Sequence, residues 1–165
     1  MQVRRFWLVP IALLIPAAAQ AHEHRMGAYG GITVRSGSVL TGGHAALAFP
    51  LWKDERGIRR WSIVFDSSTH DGSDDHRESN IMSGIRYDFA WKSDQETIPF
   101  LQLLVGGAKS KAGGSSDWDG GFAVGGGLEQ SIGKSGLAVR GQIDVIISDS
   151  TSTRASFGIV ARWPH

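Results

Sequence analysis

The chain has 165 residues, 20% of them charged, and a formal charge of +1. That is enough for one domain, and no basic excess points to nucleic acid. There is no cysteine, which excludes disulfides and thiolate metal clusters.

The N-terminus reads as an export signal. Arg4 and Arg5 precede an apolar stretch, Phe6–Ala19, and Ala19-Gln20-Ala21 fits small-x-small cleavage. Pro10 and Pro16 interrupt the stretch, which falls short of the roughly 20 residues a spanning helix needs. Removing residues 1–21 from the 165 leaves 144, and the loss of Arg4 and Arg5 takes the charge from +1 to −1. No later apolar run has the length of a helical span, so this chain could cross a membrane only with strands. Cleavage after Ala21 would expose His22-Glu23-His24, an amine-and-imidazole arrangement suited to square-planar copper or nickel. An ordinary unstructured terminus is the plainer reading, and we adopt it.

Eight segments with strand character follow, at 25–36, 43–53, 59–67, 80–91, 98–109, 119–131, 137–148 and 153–163. The first is the least clear, with Tyr29 and Thr33 set against Ala28 and Ile32. The second holds His44, the one histidine read inside a strand, and Pro50, which suggests an edge or bulge. In the third, Trp61, Ile63 and Phe65 oppose Arg60, Ser62 and Asp66. In the fourth, Ile81, Ile85, Tyr87, Phe89 and Trp91 oppose Gly84, Arg86 and Asp88. In the fifth, Leu101, Leu103 and Val105 oppose Gln102 and Gly106; in the sixth, Phe122, Val124 and Leu128 oppose Ala123, Gly125, Gly127 and Glu129. The last two are the most regular. Leu137, Val139, Gly141, Ile143, Val145 and Ile147 alternate with Ala138, Arg140, Gln142, Asp144, Ile146 and Ser148. Ala155, Phe157, Ile159, Ala161 and Trp163 alternate with Arg154, Ser156, Gly158, Val160 and Arg162.

The connections at 53–57, 92–96 and 133–136 read as tight and polar, while Ser68–Ser79 and Ser110–Trp118 read as longer loops. Short turns at one end and long loops at the other are the layout of an outer-membrane barrel. The polar face carries Arg60, Asp66, Arg86, Asp88, Glu129, Arg140, Asp144, Arg154 and Arg162. On a soluble sandwich these would be the wet outer face. The tryptophans argue otherwise. Trp52, Trp61, Trp91 and Trp163 all fall at the short-turn end of an up-and-down meander, as an interfacial aromatic belt does. The expected fold is therefore an all-β, eight-stranded antiparallel transmembrane barrel over residues 22–165, following the signal at 1–21. An interior of this size is filled by side chains, so the mixed charges should pair inside and leave no open pore. Asp144 should be enclosed near Arg140, Arg154 or Arg162, and Val145 should meet lipid.

The stretches Ile98–Ala108, Gly121–Glu129 and Arg154–Trp163 resemble strands of small bacterial outer-membrane β-barrel proteins. That group includes opacity-type surface antigens and the barrel domain of outer membrane protein A. Such proteins usually end on an aromatic residue, and this chain departs by continuing past Trp163 with Pro164 and His165. The resemblance implies an outer-membrane location and surroundings of lipid and lipopolysaccharide. The resemblance fixes no activity; the expected protein is a monomer, assembled by the outer-membrane machinery, with a structural or surface-interaction role.

No residue is assigned a catalytic, cofactor or metal role. The loop His70–Glu78 is rich in oxygen and imidazole ligands, but it lacks the glycine and final glutamate of a helix–loop–helix calcium site. It reads as a solvated surface loop. Some outer-membrane barrels modify lipid A, and their signature, a histidine two residues before a serine within a strand, has no match here. His70 and His76 would be the residues to replace in testing for such an enzyme. A soluble lipocalin-like barrel carrying a small apolar ligand is the other alternative.

Overall fold

The computed structural model describes residues 24–35, 38–72, 77–92, 95–112 and 115–163, and the side chains of 39–72, 77–92, 95–109 and 118–162. The segment 1–21 expected to be a signal, His22 and Glu23, residues 73–76 and Pro164-His165 lie outside the described residues.

Eight strands form in chain order: β1 (His24–Arg35), β2 (Ser38–Pro50), β3 (Trp61–Asp71), β4 (Arg77–Asp88), β5 (Thr97–Ala112), β6 (Ser115–Ser131), β7 (Leu137–Ile147) and β8 (Thr151–Trp163). Each pairs antiparallel with its sequence neighbour, and β1 pairs with β8, so the sheet closes into a barrel. Closure leaves no edge with unpaired backbone groups. Pro50 neither breaks β2 nor marks an edge. It is the last residue of that strand, opposite Ser62, and the next bond to β3 comes from Leu51, whose N–H donates to the Trp61 carbonyl at 2.8 Å, so the donor that proline lacks is not missed.

Period-two alternation decides which side chains enter. Along β3 the odd residues from Trp61 to Asp71 are exposed and the even ones from Ser62 to His70 are buried. Val64, Met82, Leu104, Ala123, Ile146 and Val160 add an apolar share to the interior. Below it Ile58, Ala90 and Ile98 pack together, so the connection after β2 tucks beneath the barrel.

The strands outrun their expected ends. Ser68–Asp71 extend β3, Arg77–Ser79 extend β4, and Ser110–Ala112 and Ser115–Trp118 extend β5 and β6. The ladder continues through His70 opposite Glu78 and Lys111 opposite Ser116. The two long loops expected from sequence are thus mostly paired strand, and the connections there shrink to 72–76 and 113–114. At the end holding the termini, the connections at 51–60 and 89–96 are longer than these, and 132–136 is as short as 72–76. The reason is physical: backbone pairing does not need an apolar face. The outward residues Ser67, Thr69, Asp71, Arg77 and Ser79 are polar, so their hairpin rises beyond the apolar part of the wall. About 9–11 residues suffice for a tilted strand to cross a membrane. The 16 residues of β5 and 17 of β6 exceed that.

Candidate functional site

The interior is a stack of polar clusters, each assembled by strand register. At the end holding the termini, Glu129 on β6 stands opposite Arg140 on β7. Its Oε2 accepts from Arg140 Nε at 2.9 Å and from Arg86 Nη2 at 3.1 Å. Its Oε1 accepts from Arg162 Nε at 2.7 Å. Arg86 Nε also donates to Asp88 Oδ1 at 2.5 Å, and Arg162 Nη1 donates to Ser131 Oγ at 2.7 Å. Among the described residues three guanidiniums gather on two carboxylates, and an aromatic ring stacks against two of them. The guanidinium carbon of Arg86 lies 3.9 Å from the Phe100 ring centroid and that of Arg140 lies 5.0 Å from it.

The middle cluster centres on Arg154. Its Nη1 donates to Asp66 Oδ1 at 2.8 Å, and its Nε and Nη2 donate to Asp144 Oδ2 at 3.0 and 2.8 Å. Gln102 and Gln142 complete the Asp144 carboxylate with bonds of 2.8 and 2.9 Å. His44 Nε2 lies 3.4 Å from Asp66 Oδ2. Gly125 faces Asp144 across the ladder, and a Cβ there would run into Asp144 Oδ1. Toward the polar hairpins, Glu78 Oε1 accepts from Asn80 Nδ2 and Ser152 Oγ, both at 3.2 Å.

The exterior has the opposite character. Phe157 is 67% exposed and Ile143 60%, while Arg154 and Asp144 are 0% exposed. A water-soluble protein gains its stability by the reverse arrangement. An apolar wall this continuous requires an apolar medium around it. Trp52, Trp61 and Trp91 sit exposed at the end holding the termini, and the backbone of Trp163 ends β8 there. Trp118 stands exposed toward the opposite end.

Eight of the nine charges expected inside are there; Arg60 is not. It immediately precedes β3, its carbonyl still accepting from Asp88 N–H at 2.7 Å, and its side chain turns to Asp54 in the connection at 3.3 Å. His44 is also not the one histidine within a strand, because His24 begins β1 and His70 lies in β3. The supposed loop His70–Glu78 is split between two media. His70 and Glu78 point inward, whereas Asp71 and Arg77 point outward and pair at 2.5 Å. Asp74, Asp75 and His76 lie outside the described residues. Among the described residues no three potential metal ligands come together. Glu78, Asn80 and Phe100 were missed from the interior. Glu78 and Asn80 share the parity of Arg86 and Asp88, and Phe100 that of Gln102, so extending the alternation would have found them.

No family model matches the sequence, and no curated protein matches it. Solved structures do match in fold. Neisserial surface protein A is 15% identical, with a TM-score of 0.58 over 87% of this chain and 98% of that one. Ail, the attachment invasion locus protein of Yersinia pestis, is 13% identical, with a TM-score of 0.54 over 88% and 100%. The N-terminal β-barrel domain of OprF from Pseudomonas aeruginosa is 11% identical, with a TM-score of 0.62 over 87% and 100%. The chain has the fold of small bacterial outer-membrane β-barrels.

Proposed function

We propose that this protein is a monomeric outer-membrane barrel with a structural or surface-interaction role, delivered by its signal and inserted by the outer-membrane assembly machinery. One observation carries the reading: charges are enclosed and paired while large apolar side chains face outward. The names of two similar structures, a surface protein and an attachment protein, agree with a role at the cell surface. The paired clusters occupy the space a pore would need, so the barrel is closed. A lipocalin-like carrier is disfavoured because its ligand cavity would have to be apolar. A lipid-modifying enzyme is disfavoured because His70 is buried inside the barrel, away from lipid outside. The test is fractionation of cells expressing the full chain. Recovery with the outer membrane, and release only by detergent, is expected. Recovery in the soluble periplasmic fraction after osmotic shock would overturn the reading.

A further inference from the structure

The connection between β2 and β3 makes more than a turn. Asp54 Oδ1 accepts the amide N–H groups of Arg56 and Ile58, both at 2.9 Å, and Gly57 takes φ of 75° to close the loop. The second carboxylate oxygen, Oδ2, lies 3.3 Å from Arg60 Nε. Arg60 Nη1 donates to the Tyr87 hydroxyl at 3.4 Å. Tyr87 packs edge-on against Trp61, with ring centroids 4.9 Å apart. Between the connection and these outward rings lies a cleft of about 170 Å³, lined by Trp52, Asp54, Ile58, Arg60, Trp61 and Tyr87. It sits at the belt of exposed tryptophans, where the wall passes from apolar to polar. The side chains of Arg60 and Asp54 are 25% and 34% exposed, so both still face a visitor.

The lining combines a guanidinium, a carboxylate and two indoles at a membrane interface. A phosphate is matched by the first, and an ammonium by the second and third. Within the lining the Asp54–Arg60 pair is neutral overall, which matches a headgroup that carries both charges. A quaternary ammonium has no N–H to donate to Asp54, whereas a primary ammonium has three. We propose that this cleft seats the headgroup of a zwitterionic aminophospholipid, its phosphate on Arg60 and its ammonium against Asp54 and the indoles of Trp52 and Trp61. The end holding the termini faces the periplasm in an even-stranded barrel, so the lipid belongs to the inner leaflet. The proposal rests on the outer-membrane reading above.

Native mass spectrometry tests it on the mature barrel, reconstituted with equal amounts of phosphatidylethanolamine, phosphatidylcholine and phosphatidylglycerol of one chain length. Preferential retention of one phosphatidylethanolamine is expected. Asp54→Asn keeps an oxygen to cap the turn, and it should cut that preference roughly tenfold, the scale of one lost charge-assisted hydrogen bond. Arg60→Gln should lower retention of all three lipids. Trp52→Ala lies outside the ladder and should weaken phosphatidylethanolamine retention with the barrel intact, as judged by heat-modifiable gel mobility. Equal retention of the three lipids, preference for phosphatidylglycerol, or a preference untouched by the folded variants would overturn the proposal. A membrane-bound barrel without lipid preference sinks this proposal alone; a soluble protein sinks the outer-membrane reading as well.

Discussion

Glu129 and Arg140 face each other directly across β6 and β7, with carboxylate Oε2 and guanidinium Nη2 2.5 Å apart inside the barrel. Both are nearly inaccessible, and Arg86 and Arg162 converge on the same carboxylate. Glu129→Ala would remove the carboxylate on which Arg86, Arg140 and Arg162 converge. The expected cost is about 3–5 kcal/mol, since breaking a buried pair strands the partner charge. Adding Arg140→Met should restore part of the loss. Urea unfolding in detergent or lipid of the two single variants and the double variant measures this. Losses that simply add would show that the pair is not coupled.

Gly125 makes room for Asp144. A methyl group there would run into Asp144 Oδ1 and displace it from Arg154. Gly125→Ala should therefore cost about 1–3 kcal/mol by overpacking. Gly120 has nothing near its missing side chain, so Gly120→Ala should leave the barrel's unfolding midpoint almost unchanged. Equal midpoints for the two variants would contradict the packing described.

The turn at Asp54 should titrate. The amide of Ile58 holds the Asp54 carboxyl below its ordinary value of 3.8; the amide of Arg56 and the guanidiniums of Arg60 and Arg56 add to this, while burial opposes it. A lowered folded-state value means stabilisation that is fully present above 3.8 and lost as pH falls through the lower folded value. Unfolding curves between pH 6 and 3, with Asp54→Ala as reference, check the sign. The variant should lose less stability on acidification than the parent; a steeper loss in the variant would be wrong for this turn.

The polar hairpins should lie outside the cell. An epitope inserted after Gly72, in the connection beyond Asp71, should bind antibody on intact cells. One inserted after Lys134, between β6 and β7, should bind only after the outer membrane is opened. The reverse labelling would invert the topology.

How far the sequence could be read followed the medium each segment meets. β7 and β8 were legible because apolar residues outside and Arg140, Asp144, Arg154 and Arg162 inside mark the two faces, although Ile146 and Val160 also point inward. Ser68–Asp71 was not, because above the apolar wall both faces are polar and the alternation disappears even though the ladder continues. Arg60 was misplaced by one residue of strand boundary. Partners were the least legible of all. Arg86 reaches Glu129 across 43 positions and Arg154 reaches Asp66 across 88. Alternation says which face a residue takes, whereas pairing depends on register and shear around the closed sheet.

Lipid contact at the outward face is measured most directly with nitroxide labels. The chain has no cysteine, so a single introduced one reports a single site. Ile143 projects from the apolar wall, and Thr69 projects from the polar hairpin above it. In reconstituted bilayers a label at Ile143→Cys should be relaxed strongly by oxygen and shielded from a water-soluble nickel complex. A label at Thr69→Cys should show the opposite. If nickel reaches the label at 143 as freely as the one at 69, the apolar wall does not face lipid and the membrane-barrel reading fails.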